Sequence, residues 1–154
     1  MNTRPPELRR GRPDDLPALS RLLEDIGLPS SDLTATDLAH FQLAEANGKL
    51  VASAGVEVAG TVGLLRSVVV APGFRGSGLA RRLVSACESA SRKKGISALY
   101  LIANDAAAST FFAHMGYALI DRQDIPPDLL RLPEFTHLCP QTHLCLWKSL
   151  SSPT

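Results

Sequence analysis

The sequence has almost no net charge: 16 Lys and Arg against 15 Asp and Glu leave a formal +1 at pH 7. A chain built to hold a polyanion or an acidic membrane surface carries a one-sided field. Composition therefore gives no ground for a nucleic-acid or membrane partner. Long apolar runs are missing too, since none approaches the roughly 18 residues of a membrane span. The opening Met1-Asn2-Thr3-Arg4-Pro5-Pro6 lacks the apolar core of a signal peptide, so a cytoplasmic protein is expected. Only three cysteines occur, Cys87, Cys139 and Cys145. They cannot all pair with one another, and reduced thiols are the expectation. Repeats are absent, and low complexity is confined to the tail Ser151-Ser152-Pro153-Thr154, expected to fray. The chain of 154 residues is long enough for one real core and short for two, so one domain over residues 1–150 is expected. The sequence is compatible with a homodimer.

What is present is concentrated around Leu65 to Ala80. A β-branched run ends at Ala71-Pro72, glycines follow at 73, 76 and 78, and an apolar-periodic helix opens near Gly78. A glycine-rich turn into a helix start suits a phosphate: the first N–H groups lack partners, the macrodipole is positive there, and glycine lets a ligand approach the backbone. Spacing narrows the ligand. No lysine completes a Walker loop, and Arg81 stands where a dinucleotide fingerprint needs its third glycine.

Elsewhere the pattern predicts a mixed α/β domain. Glu7 to Arg10 reads as a short strand. A helix begins near Pro13-Asp14-Asp15, carries Leu16, Leu19, Leu22, Leu23 and Ile26 at helical spacing, and ends at Gly27. Pro29 to His40 is irregular. Phe41 to Ala46 and Leu50 to Val58 are strand-like and joined by Asn47-Gly48, a strong hairpin signal; Ala59-Gly60 turns the chain into a third run, Val62 to Ala71. Leu79, Leu83, Ala86, Cys87 and Ala90 share one helical face, and Gly95 follows the basic last turn. Ala98 to Ala103 is a buried-type strand, and Asp105 caps a helix reaching about Met115. Strands at Tyr117 to Asp121 and Thr142 to Lys148 flank the proline-rich Asp124 to Pro140, weakly helical at Asp128 to Leu132.

The spacing Arg-x-x-Gly-x-Ala, at Arg75, Gly78 and Ala80, resembles the acyl-CoA pyrophosphate loop of the GCN5-related N-acetyltransferase (GNAT) superfamily, with the preceding hydrophobic strand and proline in agreement. The resemblance implies an α/β (α+β) domain with a mostly antiparallel mixed sheet, splayed central strands and flanking helices, and acetyl-CoA as co-substrate. It implies that Val68, Val69 and Val70 pair with the pantetheine amides, and that Arg75, Gly76, Ser77, Gly78, Leu79 and Ala80 surround the pyrophosphate. The reaction implied is direct attack of a small molecule's amine on the thioester, which needs a base and benefits from an acid.

Glu57 is the candidate base, with a solvated or ion-paired strand carboxylate as the plainer alternative. Arg66, on an otherwise apolar strand, either binds an acidic group of the acceptor or pairs with Glu57 across the hairpin. Many family members carry Asn-x-x-Ala-x-x-Leu-Tyr in the helix after the fifth strand. Counting places Asp105 at the asparagine, making it a cofactor-binding candidate, and Phe112 at the tyrosine. Phe112 cannot donate a proton, and Tyr117 lies beyond the helix. An acyl-CoA-binding or sensor module without catalysis is therefore the alternative function. Leu64-Leu65-Arg66-Ser67, Phe111 to Tyr117, and Glu134 to Pro140 further resemble a GNAT subgroup encoded with arsenic-resistance genes, which implies an acceptor connected with that resistance. His137, Cys139, His143 and Cys145 offer four soft ligands within nine residues. Their single-residue spacings and Pro140 disfavour a zinc or arsenite site, so none is assigned. His40 reads as a surface or satisfied histidine.

Overall fold

A computed structural model of the chain describes residues 5–28, 30–103, 105–133, 135 and 144–150. Its strands are β1 (Glu7–Arg10), β2 (Phe41–Ala46), β3 (Lys49–Ala59), β4 (Val62–Val70), β5 (Ala98–Ala103), β6 (Ala118–Ile120) and β7 (Leu144–Ser149). The helices are α1 (Leu16–Ile26), α2 (Leu79–Lys93), α3 (Ala106–His114) and the short α4 (Pro127–Leu130). One seven-stranded sheet runs in the order β1-β2-β3-β4-β5-β7-β6. The ladders β1–β2, β2–β3, β5–β7 and β6–β7 are antiparallel, and β4–β5 is parallel over Val62–Leu64 against Ala98–Tyr100. The expected α/β domain with a mostly antiparallel open sheet and flanking helices is what forms. No helix among the described residues is long and apolar enough to cross a membrane.

Local chemistry explains the elements. Asn47 and Gly48 take φ of 53° and 78°, the paired positive values that a two-residue hairpin turn needs. Gly27 ends α1 in the left-handed conformation, φ 83°, a C-terminus that glycine reaches without the Cβ penalty. Pro13–Asp15 forms a 3-10 turn, so the α-helix proper starts at Leu16. The irregular stretch before β2 contains a 3-10 segment, Ala35–His40, whose start is fixed by Thr34 and Asp37: the Thr34 N–H donates to Asp37 Oδ2 at 2.8 Å.

Contacts divide the chain into two compact units, one formed from 1–56 with 67–87 and the other from 57–66 with 88–154. In the first, α1 and the 3-10 segment lay Leu19, Leu23 and Leu38 against Phe41, Leu43 and Val69. In the second, Ala59, Leu64, Ala98, Tyr100 and Cys145 form one cluster with Ile125, Leu129 and Phe135. The proline-rich connection therefore does a covering job: its apolar residues close one face of the sheet. The helical turn expected at Asp128 to Leu132 forms one residue earlier, where Pro127 can occupy the first turn without losing a hydrogen bond. His137, Cys139, His143, the start of the expected last strand at Thr142, and the tail 151–154 lie outside the described residues.

Candidate functional site

In the first unit, β4 runs into the glycine loop and then α2. Val69 is buried in the core, while Val68 and Val70 are half-buried, as a two-residue period requires. Pro72–Phe74 forms a 3-10 turn, and the Arg75 Nε donates back to the Val70 carbonyl at 3.0 Å. The Ser77 hydroxyl donates to the Phe74 carbonyl at 2.7 Å. These two side chains fold the loop onto its own backbone. Gly76 and Gly78 take φ of 81° and 79°, and a Cβ added to either would meet nothing within 4 Å. Glycine is thus demanded there by backbone direction, and the space above it is open. Leu79 is buried and anchors the helix, whose first return bond runs from the Arg82 N–H to the Gly78 carbonyl at 3.1 Å. The N–H groups of the preceding turn have no intrahelical acceptor, and with the helix dipole they make an anion cradle. Arg75, Gly76, Ser77, Gly78, Leu79 and Ala80 therefore fit a diphosphate by position and chemistry.

One residue in this unit departs from ordinary strand geometry. Ser67, inside β4, has φ of 56°, and its carbonyl accepts from the fully buried Ser53 hydroxyl on β3 at 2.6 Å.

In the second unit the structure brings Glu57 and Arg66 together. Arg66 Nη1 donates to Glu57 Oε1 in an ion pair in which the Arg66 side chain has no exposure and that of Glu57 has 16%. Alternation places Glu57 on the face of Ala59 and Arg66 on that of Leu64, the face that the 122–135 connection covers. The pairing with Glu57 read for Arg66 is thus present.

Asp105 is the N-cap of α3, with its Oδ1 accepting from the Ala108 N–H at 2.7 Å. Phe112 is buried and edge-on to Phe111 at 4.9 Å and Tyr117 at 5.6 Å between ring centroids. The Tyr117 hydroxyl donates to Glu88 Oε2 at 2.8 Å, and Lys148 Nζ donates to both Glu88 oxygens at 3.1 and 3.2 Å and to the Met115 carbonyl at 2.9 Å. Tyr117 is thereby committed to a buried carboxylate. Tyr100, on β5, stacks on Trp147 at 5.9 Å, and burial pushes its phenol pKa up. Burial does the same to the Cys145 thiol.

Sequence reading missed Ser53, Glu88 and Lys148. A hydroxyl inside the apolar run Val51 to Val56, and a carboxylate next to Cys87 on the apolar edge of α2, were the available signals.

A model of the acetyltransferase (GNAT) family matches residues 6–117. No curated protein matches the chain. Among solved structures it is similar to N-acetylglutamate synthase from Neisseria gonorrhoeae, complexed with coenzyme A and N-acetyl-glutamate, with a TM-score of 0.80 and 19% identity over 98% of this chain and 36% of that one. This chain thus spans about a third of that enzyme. A Mycobacterium tuberculosis protein complexed with CoA gives 0.77 and 22% over 94% and 99%. The ribosomal-protein-S18-alanine N-acetyltransferase from Escherichia coli gives 0.69 and 20% over 97% of each chain.

Proposed function

Because the chain belongs to the acetyltransferase (GNAT) family, we propose that it transfers the acetyl group of acetyl-CoA to the amine of a small molecule by direct attack. The observation that carries this reading is the loop at Arg75 to Ala80, where two glycines in the left-handed conformation precede a helix start under open space. When bound there, acetyl-CoA supplies the activated acetyl thioester. Loop N–H groups take the diphosphate oxygens as charge-assisted bonds, and the backbone of Val68, Val69 and Val70 takes the pantetheine amides. A small acceptor is supported by the gonococcal structure, which holds N-acetyl-glutamate. The same fold serves a protein acceptor in the S18 enzyme, so acceptor class is a property of the site and not of the fold.

Glu57 is the base that takes the amine proton, directly or through water. Arg66 orients it: the buried guanidinium holds Oε1 and fixes the carboxylate on its strand face. Phe112 leaves the usual acid position without a proton, and the Tyr117 hydroxyl is engaged with Glu88. The thiolate therefore departs with help from water or a backbone donor. A second reading, an acyl-CoA-binding or sensor module, is favoured by Phe112 alone.

Isothermal calorimetry with acetyl-CoA, followed by thiol release across an amine panel, separates these. Binding with turnover supports the enzyme; binding without turnover supports the sensor; no heat at millimolar cofactor rejects both. Glu57→Gln is expected to lower turnover by 10²- to 10⁴-fold, the usual worth of a general base, with acetyl-CoA affinity unchanged. Unchanged turnover across pH would remove Glu57 from the mechanism. The resemblance of Leu64 to Ser67 and of Phe111 to Tyr117 to the arsenic-resistance subgroup supports an acceptor from that chemistry, which the genes flanking this one would test.

A further inference from the structure

We infer that Ser53 is a positioning residue: its hydroxyl holds the Ser67 carbonyl and so fixes the direction of the Ser67–Val68 peptide at the head of the Val68–Val70 backbone. A departure from strand geometry and a buried hydroxyl meet at this bond. Serine in the left-handed region is disfavoured by its Cβ, and inside a strand it persists only when the surroundings impose it. Ser67 does so at 8% exposure. A hydroxyl with no solvent exposure needs a partner, and that of Ser53 donates at 2.6 Å to this one carbonyl.

The register gives the cause. Ala59 and Val62 flank the two-residue Gly60-Thr61 turn, so an unbroken antiparallel count would set Val51 opposite Val70. Val51 instead accepts from the Ala71 N–H at 2.8 Å. β4 therefore absorbs one extra residue, as at a β-bulge, and the positive φ of Ser67 marks where. A trans peptide points its carbonyl and its N–H in opposite directions. With the Ser67 oxygen tied to a side chain on β3, the Val68 N–H is turned away from Ser53, and the next residues of the backbone keep that phase. A serine present only to satisfy itself would not need its acceptor in a strained conformation.

The functional half of this inference rests on the proposed use of Val68 to Val70 by acetyl-CoA; the conformational half does not. Six proteins test both: wild type, Ser53→Ala, Ser67→Gly, Ser67→Ala and the two double variants. Ser53→Ala is expected to raise the KM for acetyl-CoA roughly tenfold, as for a lost buried hydrogen bond, with kcat within about twofold. Ser67→Gly removes the resistance to positive φ and is expected to restore most of that loss in the double variant. Ser67→Ala, which removes the hydroxyl and keeps the resistance, is expected to restore none. An unchanged KM for acetyl-CoA in Ser53→Ala, or a loss that Ser67→Gly does not restore, would overturn the positioning role. Urea midpoints of the same proteins read the conformation without activity: Ser53→Ala should lower the midpoint less in the Ser67→Gly background. Equal shifts in both backgrounds would overturn the lock. Failure of the wild type to bind acetyl-CoA counts against the acetyltransferase reading, and the urea cycle still decides the role of Ser53.

Discussion

Arg9 holds two carboxylates at once. Its Nη1 and Nη2 donate to the two oxygens of Asp15 at 2.8 and 2.9 Å, and its Nε donates to Glu45 at 2.8 Å. Asp15 also accepts from the Arg12 N–H at 2.8 Å. Burial alone would raise the Asp15 pKa, yet the bonds from Arg9 outweigh it and hold the carboxyl below its usual range. Bonds to charged partners contribute about 1.5–3 kcal/mol, so Asp15→Asn should lower the unfolding free energy by about that much at pH 7 in urea melts. A depressed folded pKa adds stability above the unfolded value near 3.9, and that stability is lost as pH falls through the folded value. The gap between wild type and Asp15→Asn should therefore narrow progressively as pH falls below the unfolded value of about 3.9. Arg66→Met belongs at the same scale. It leaves the Glu57 carboxylate, whose side chain is 16% exposed, without its buried cation. A loss of about 3–5 kcal/mol is expected by chemical denaturation, as when one partner of a buried pair is removed. Glu57→Gln keeps an acceptor for Arg66 but removes the carboxylate charge facing the buried guanidinium, so it too should lower the midpoint, by less than Arg66→Met. Its turnover is to be read at a temperature where the variant is fully folded.

Elements show two kinds of glycine. A Cβ on Gly55 in β3 would lie 2.4–2.5 Å from the Phe41 ring, a fully buried core residue. Gly55→Ala should cost about 1–3 kcal/mol by overpacking, visible as a lowered melting temperature. At Gly78 the space is open and the demand is conformational, φ 79°. Gly78→Ala should cost about 1–2 kcal/mol of strain and, unlike Gly55→Ala, should reduce acetyl-CoA affinity in calorimetry. Elements whose signal is periodic or confined to a turn were legible: the leucines of α1, the stripe of α2, and Asn47-Gly48. The glycine loop was legible because its function needs backbone freedom, which sequence records as glycine. The 3-10 segment at Ala35–His40 was not, because two local bonds fix it without any repeat. Nor was the extra residue of β4. A two-residue period tells which face a side chain takes and carries no mark of where the count slips, so Ser67 reads as an ordinary strand residue. Glu57 and Arg66 were singled out by charge within apolar strands, but a two-residue period does not say which side chains meet across a hairpin, so their ion pair was one of two alternatives for Arg66.

For the whole molecule, a ligand that binds only the folded chain stabilises it by mass action. At a concentration of 100 times its Kd, acetyl-CoA adds about 2.7 kcal/mol. For a chain near 150 residues that corresponds to a rise of roughly 5–10 °C in melting temperature. Scanning fluorimetry checks this, and a melting temperature that does not move with acetyl-CoA would remove the cofactor from the proposal. The family match ends at residue 117, yet the C-terminal strands belong to the same sheet: β6 and β7 extend it, and Ile125, Leu129 and Phe135 close a face of it.

The placement of β7 also orders the chain's assembly during synthesis. β6 precedes β7 in sequence, but β7 lies between β5 and β6, pairing Ala98–Ala103 with Ser149–Leu144 on one side and Ala118–Ile120 with Trp147–Cys145 on the other. A ribosome therefore delivers the outer strand before the one that connects it to the sheet. Until Leu144–Ser149 emerges, β6 lacks that neighbour and β5 presents a bare edge carrying Leu99, Leu101 and Ile102, a template for pairing between nascent chains. Stop codons or proteolytic nicks just ahead of Leu144 would thus act as aggregation lesions, although they spare the glycine loop and the Glu57–Arg66 pair.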